Sequence, residues 1–230
     1  MPPELVIFDC DGVLIDSELL SVEADLACLA EYGIAIPAAE ILDRYTGISL
    51  AGMVADLEAR YGRRLPDFAA RHRPHLRRLF EAELAAMPGI EGVLDSLACR
   101  RCVASSSTPE RLQHALALTG LLDRFHPHLF SAAAVARGKP APDLFLYAAE
   151  RMGAAPAGCV VVEDSLPGIA AAVAAGMTAI GFVGGGHCPP GHAARLAASG
   201  AALVVERMAD LLPAIARARR HPDRNRPRRV

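Results

Sequence analysis

Leu5-Val6-Ile7-Phe8-Asp9-Cys10-Asp11-Gly12-Val13-Leu14-Ile15-Asp16-Ser17 opens the chain with four apolar residues that run straight into an acid. A short unbroken apolar run of this kind reads as a strand buried on both faces of a parallel sheet, because a strand with one wet face would alternate. Such a strand delivers polar groups at its C-terminal end, so chemistry is expected to begin at Asp9. Asp9 and Asp11 stand two residues apart where strand gives way to loop, offering one carboxylate for attack and another for proton handling. A D-x-D pair alone also suits a helix cap or a solvated turn. Its place behind a buried strand favours the chemical reading.

Outward from that strand the pattern changes. Leu20, Ala24, Ala27, Leu29 and Ala30 fall at helical spacing in a stretch from Ser17 to about Tyr61, with a break at Gly33 and Pro37. Another helical stretch, about Asp67 to Ala86, is rich in Arg and Glu and stops at Met87-Pro88-Gly89. No strand interrupts residues 17–86, which read as a helical insert. Beyond Gly89 helix and strand alternate: helix Ile90–Ala98, strand Arg101–Ser105, helix Pro109–Leu118, strand His128–Ser131 and helix Pro142–Met152. Strand Cys159–Glu163, helix Leu166–Ala175, strand Thr178–Val183, strand Leu203–Val205 and helix Met208–Ala218 complete the series. This order predicts an α/β fold with a doubly wound parallel sheet covered by helices. Ligands in such sheets bind at the carboxyl ends of the strands, where the remaining candidate residues fall.

Val103-Ala104-Ser105-Ser106-Ser107 ends one predicted strand just ahead of Pro109, a favoured first residue of a helix. Hydroxyls and backbone N–H groups there suit a phosphate, with Ser105 the first choice for direct contact and Ser106 the second; a cap alone would need only one serine. Arg137-Gly138-Lys139-Pro140-Ala141-Pro142-Asp143 carries the sole lysine of the chain between two prolines. The compact charge of an ammonium suits a crowded anionic site better than a guanidinium fork. Asp143 reads as an organiser of that turn. Val160-Val161-Val162-Glu163-Asp164-Ser165 repeats the opening design, with adjacent acids at the end of an apolar strand. They repel unless a cation neutralises them, and Mg²⁺, which takes oxygen ligands and bridges to phosphate, is the natural one. A helix cap by Asp164 or Ser165 is the simpler alternative.

The chain has 230 residues, 52% of them hydrophobic and 22% charged, and a formal charge of -2, the profile of a soluble globular protein with no general pull toward nucleic acid or anionic membranes. No apolar run reaches the roughly 18 residues needed to cross a bilayer. Residues 217–230 are crowded with arginine and proline and read as a solvated tail. Six cysteines without a secretory leader fit a reducing cytoplasm. Cys99-Arg-Arg-Cys102 lacks the second pair of a zinc site. Gly184-Gly-Gly-His187 reads as a flexible connection, and His187, His114, His126 and His128 receive no role.

Taken in order, the four motifs resemble the haloacid dehalogenase (HAD) superfamily, whose phosphatase branch carries D-x-D-G-x-x-x-D-S, a Ser/Thr after the second strand, G-K-P, and an E-D or D-D pair. The resemblance extends to about residue 216. It implies a Rossmann-like core at 1–16 and 87–216, with a small α-helical cap domain inserted at 17–86. It makes Asp9 the nucleophile that becomes an aspartyl-phosphate, and Asp11 the acid that protonates the leaving alkoxide and then the base that activates water. By the same resemblance Mg²⁺ is held by Asp9, the backbone carbonyl of Asp11 and Asp164, with Glu163 beside it, while Ser105 and Lys139 grip the transferring phosphoryl group. Thr46, Gly47 and Leu50 stand where the caps of related beta-phosphoglucomutases contact sugar. Those enzymes are expected to have an arginine at Leu50 and a histidine at Ser21, and the departures favour a phosphatase over a mutase. Asp11 argues against halide chemistry. A receiver-type phospho-acceptor combines similar residues but takes phosphate on a later strand and has no helical insert. The expectation is a monomeric, cytoplasmic, Mg²⁺-dependent phosphatase acting on a small phosphate ester, a sugar or sugar-acid phosphate, without nucleic-acid or membrane partners.

Overall fold

The computed structural model describes residues 3–218; of the tail expected at 217–230, Arg217 and Ala218 belong instead to the last helix and the rest lies outside the described residues. Among the described residues six strands and eleven α-helices follow one another as β1 (Leu5–Phe8), α1 (Glu18–Glu31), α2 (Ala38–Tyr45), α3 (Leu50–Tyr61), α4 (Phe68–Glu83), α5 (Ile90–Ser96), β2 (Arg100–Ser105), α6 (Pro109–Leu118), α7 (Leu122–Phe125) and β3 (Leu129–Ser131). Then come α8 (Asp143–Arg151), β4 (Cys159–Glu163), α9 (Leu166–Ala174), β5 (Thr178–Phe182), α10 (His192–Ala198), β6 (Leu203–Val205) and α11 (Leu211–Ala218). The strands form one sheet in the order β3-β2-β1-β4-β5-β6, with every neighbouring pair parallel. This is the expected doubly wound α/β architecture. Sequence order reverses between β1 and β4, and at that switch point the loops leaving the two strands diverge to open a crevice.

Apolar residues on both faces of the central strands explain the layering. On one face Val6, Phe8, Val103, Val162 and Ile180 pack against Ile90 of α5, Leu112 and Leu116 of α6, and Leu211 of α11. On the other, Leu5, Ile7, Cys102, Ala104, Val161 and Ala179 meet Leu144 and Phe145 of α8, Ile169 of α9 and Leu196 of α10. All four residues of β1 are fully buried. At about 1.5–3 kcal/mol per buried aliphatic or aromatic side chain, this sandwich, not local propensity, holds the short strand in the middle of the sheet.

The helices α1–α4 have a hydrophobic cluster of their own, built from Cys28, Leu29, Ile41, Met53, Leu57 and Phe68. The chain enters and leaves them side by side. Asp16 N–H donates to Ala85 O at 3.0 Å and Met87 N–H to Leu14 O at 2.8 Å, around an antiparallel bridge of Ile15 with Ala86. The helical stretch read as running to Tyr61 with one break has a second break at Thr46–Ser49, where Gly47 takes a φ of 79° and the Ser49 side chain caps α3 by accepting from Gly52 N–H. Two helices were not anticipated: α7, and α10, which follows the connection read at Gly184–His187. Among the described residues no helix is long and apolar enough to cross a membrane. All six cysteines are unpaired, Cys99 and Cys102 among them.

Candidate active site

Parallel register brings the candidate residues to one edge. Phe8 pairs with Val103 of β2 and with Val162 of β4, so the next residues along, Asp9, Ala104 and Glu163, stand side by side near the carboxyl edge of the sheet. Lys139, on the loop between β3 and α8, reaches this edge with a side chain 1% exposed. Its ammonium donates to Asp9 Oδ1 and to Glu163 Oε1, both at 2.6 Å, and lies 5.1 Å from the centre of the Phe145 ring. Arg137 closes the same loop by a two-pronged contact with Asp143, at 3.1 and 2.8 Å, in keeping with a turn-organising role for that acid.

Glu163 turns its other oxygen back on its own chain, where Oε2 accepts from Ser165 N–H at 2.7 Å and Ser165 Oγ at 2.9 Å. Ser165 Oγ accepts in turn from Gly168 N–H and caps α9. A Cβ on Gly168 would come within 1.8 Å of Glu163 Oε1, so only glycine admits the carboxylate there. The serine that looked like a simple cap therefore also fixes Glu163.

Asp11 points away from this cluster. Its Oδ1 accepts from Ser17 Oγ at 2.6 Å and Arg111 Nη2 at 2.9 Å, and its Oδ2 from Ser107 Oγ at 2.9 Å. Arg111 also donates to Ser21 Oγ at 3.0 Å, and its guanidinium lies over the Phe80 ring of α4. Burial by itself would raise the Asp11 pKa, but Arg111 and the two serine hydroxyls outweigh it and hold the carboxyl below its ordinary range. Asp9 behaves in the opposite way. Burial pushes its pKa well up, Lys139 opposes this, and the charges of Glu163, Asp164 and Asp11 add to the rise. Asp164 is likewise raised by burial and then by Glu163. Lys139 stays charged because Asp9 and Glu163 overcome the cost of its burial.

Whether a dication suits these residues is decided by the charges. One carboxylate oxygen each of Asp9, Glu163 and Asp164 lie within 4.8 Å of one another, all three residues buried. One ammonium serves two of the three acids, and Arg111 is committed to Asp11, so the cluster is short of positive charge. Buried carboxylates in that state either take up protons or a cation. An all-oxygen donor set fits a hard ion such as Mg²⁺. The side chain of Asp11 is not part of this group.

A cavity of ≈490 Å³ opens onto the Asp9 and Lys139 side of the cluster, lined by Asp9, Asp11, Lys139, Ser106, Ser107 and Arg111 below and by residues of α1–α4 above. Thr46, Gly47 and Leu50 all line it. Gly47 O accepts from Ser106 Oγ at 3.1 Å, which ties the cap to the second strand's loop, while the Thr46 hydroxyl is used on Leu42 O at 2.7 Å. Ser105 is fully buried and its Oγ accepts from Ser107 N–H at 3.0 Å; Ser106 and Ser107, not Ser105, line the cavity. Glu18, Ser21, Asp25, Tyr45 and His72 add further polar groups to the wall. Burial, followed by the charges of Asp164 and Asp11, moves the Glu18 pKa to about 8.

Arg111, Ser17, Ser107 and His187 were missed by the sequence reading. His187 is the plainest correction. It is 5% exposed rather than part of a loose connection, and its Nε2 lies 2.8 Å from Asp164 Oδ2. A signal was available for Ser107, the third serine of its run. For Arg111 and His187, whose partners lie 100 and 23 residues away, there was none.

Comparison with known proteins agrees with this geometry. Residues 3–176 match the haloacid dehalogenase-like hydrolases. The 6-phosphogluconate phosphatase of Escherichia coli (strain K12) is 32% identical over 189 residues, covering 81% of this chain and 86% of that protein. The crystal structure of a haloacid dehalogenase-like protein from Agrobacterium tumefaciens str. C58 superposes with a TM-score of 0.80 at 38% identity, covering 93% of this chain and 98% of the other. A HAD family hydrolase from Deinococcus radiodurans R1, crystallised with bound phosphate and sodium, gives a TM-score of 0.75 at 35% identity over 94% of this chain and 96% of the other.

Proposed function

The chain belongs to the haloacid dehalogenase-like hydrolase family, and on that premise we propose that it is a Mg²⁺-dependent phosphatase that transfers the phosphoryl group of a small sugar or sugar-acid phosphate through Asp9. The observation that carries the reading is the division of labour between two carboxylates of one cavity. Asp9 lies in the cluster with Lys139, Glu163 and Asp164, whereas Asp11, two residues on, is held apart by Ser17, Ser107 and Arg111.

In the first step an oxygen of Asp9 attacks phosphorus and the ester P–O bond breaks. The negative charge of the bound phosphate raises the Asp11 pKa that Arg111 and the serines hold low in the free protein, so Asp11 enters this step protonated; the leaving alkoxide takes that proton and departs as an alcohol. In the second step water attacks the phosphorus of the acyl phosphate, Asp11 takes a proton from it, and Asp9 returns as a carboxylate while inorganic phosphate leaves. Lys139 holds Asp9 in place and offers charge to the phosphoryl oxygens, with the serine-rich loop 105–107 at the adjacent strand end as the cradle. Asp9, Asp164 and the backbone carbonyl of Asp11, with Glu163 beside them, would hold Mg²⁺. When bound, it supplies charge neutralisation of nucleophile and phosphate, which otherwise repel. Residues 17–86 act as a cap that excludes water and reads the leaving group, with Thr46, Gly47 and Leu50 in its wall.

A polyhydroxylated leaving group is supported by the hydroxyl, carboxyl and imidazole groups of the wall and by the name of the Escherichia coli relative. A cytoplasmic monomer completes the reading, supported by six unpaired thiols as regards the compartment. Phosphate release from sugar, sugar-acid, glycolate and nucleoside monophosphates, with Mg²⁺ and with chelator, tests it. Release is expected only with Mg²⁺ and not from Asp9→Asn. No release from any ester by folded wild-type protein would overturn the phosphatase reading in favour of a mutase.

A further inference from the structure

Gly184-Gly-Gly-His187-Cys-Pro-Pro-Gly191, between β5 and α10, approaches the candidate metal cluster from the side opposite Lys139's loop, and two imidazoles on or beside it converge on a single residue. His187 Nε2 lies 2.8 Å from Asp164 Oδ2, both side chains 2% exposed. His192 Nε2 lies 2.6 Å from the backbone oxygen of Asp164. A carbonyl only accepts, as does Asp164 in the ionised form that takes a cation, so in that form each Nε2 carries the hydrogen. The Nδ1 atoms of both rings are buried without a partner, and Cys188 Sγ lies 3.4 Å from the same Nε2 of His187.

Two glycines make room for the His187 ring. A Cβ on Gly12, which has a φ of 73°, would come within 2.0 Å of Asp164 Oδ2 and 2.9 Å of His187 Cε1. One on Gly185 would meet the ring at 2.6 Å. The slot thus depends on the loop after β1 and the loop after β5 together, and it delivers a donor to one oxygen of the acid that lacks Lys139.

We propose that His187 is a positioning residue for the metal site: it fixes the carboxylate of Asp164 through Oδ2 so that the acid is already oriented to receive the cation. The inference rests on the assignment of Asp164 as a metal ligand under the proposed function. His192 steadies the same residue through its backbone. An aspartate at the end of a strand otherwise rotates about two side-chain bonds, and beside Glu163 its charge favours turning outward. Hydrogen bonds from outer groups remove that freedom before the ion arrives, and loss of one such partner typically weakens metal affinity by about 10–100-fold.

Mn²⁺ serves as the probe, because the electron paramagnetic resonance signal of the free aqueous ion reports binding to the whole protein without substrate or turnover. His187→Ala and His187→Leu, the second of which fills the slot but donates nothing, are expected to bind Mn²⁺ about 10–100-fold more weakly than wild type. His187→Gln, whose amide N–H reaches toward the Nε2 position, is expected to recover affinity to within a few-fold. Unfolding temperatures in chelator establish which variants are folded. Wild-type or tighter affinity in either folded deletion variant, or no recovery in folded His187→Gln, overturns the proposal while leaving the phosphatase reading in place. Absence of Mn²⁺ binding by wild type overturns the metal reading, and the role of His187 with it.

Discussion

The sole lysine of the chain donates at 2.6 Å to both Asp9 and Glu163, so the residue type, rather than any pattern, was the informative fact about it. A solvated surface could have used any of the 23 arginines that make up the rest of the 24 basic residues, whereas a pocket between two acids has room for a point charge. Arg111 is the counter-example: it is one arginine among many, on a helix, and only the fold brings it to Asp11. Its role predicts a shift in pH dependence. Arg111→Met removes the charge that keeps Asp11 ionised, so the Asp11 pKa rises and water activation fails at a higher pH than in wild type. The acid side of the profile for breakdown of the phosphorylated enzyme, followed in single turnovers, is expected to move upward; an unmoved limb contradicts the assignment. Asp11→Asn is expected to lose about 10²–10⁴-fold in kcat, the usual cost of a missing general acid or base. Glu18 gives a stability test. Its folded pKa of about 8 lies above the ordinary value of 4.5, so the folded state binds the proton more tightly. Stability is therefore lost as pH rises from the lower value through the higher one. In chelator, Glu18→Gln is expected to melt above wild type at pH 9 and close to it at pH 4, and an equal difference at both would count against the burial of that charge.

At the level of elements, the strand ends were legible and the loops between cap and core were not. An apolar run that stops at an acid has one economical explanation, a buried strand that ends in acids at the carboxyl edge of the sheet, and β1 and β4 both follow it. Thr46–Ser49 gave no such signal, because Gly47 could end one helix or simply interrupt it. Its position becomes clear only when Ser106 is seen to bond Gly47 O and when a Cβ on Gly47 is found to fall 2.3 Å from Ser165 Oγ. Ser105 shows the same limit: sequence places a hydroxyl at the strand end but cannot tell which of three neighbouring serines faces the cavity. The start of α9 carries a sharp prediction. Gly168→Ala forces Glu163 or the helix to move and is expected to cost about 1–3 kcal/mol, as overpacking does. It should also lower kcat/KM by displacing a partner of Lys139. A variant with wild-type melting temperature and kcat/KM would contradict the tight fit of α9 against Glu163.

For the whole molecule, the alternation of helix and strand beyond Gly89 was enough to infer the doubly wound sheet, because each strand is apolar on both faces and each intervening helix has one apolar side. The helical insert was equally legible from the lack of any strand in residues 17–86. What the sequence could not supply was the way the two parts meet: the bridged segments at Leu14–Asp16 and Ala85–Met87, the cavity of ≈490 Å³ between them, and the loop that carries His187 to Asp164. These depend on contacts between distant segments, which one-dimensional periodicity does not encode. The central claim, that the phosphoryl group passes through Asp9, is tested most directly by trapping it. Asp11→Asn protein is mixed with a turned-over sugar phosphate and Mg²⁺, quenched in acid, digested and examined by mass spectrometry. The account predicts one phosphoryl group on Asp9, absent when chelator replaces Mg²⁺ and absent from Asp9→Asn. A phosphoryl group on another residue, or substantial turnover by Asp9→Asn, would contradict it.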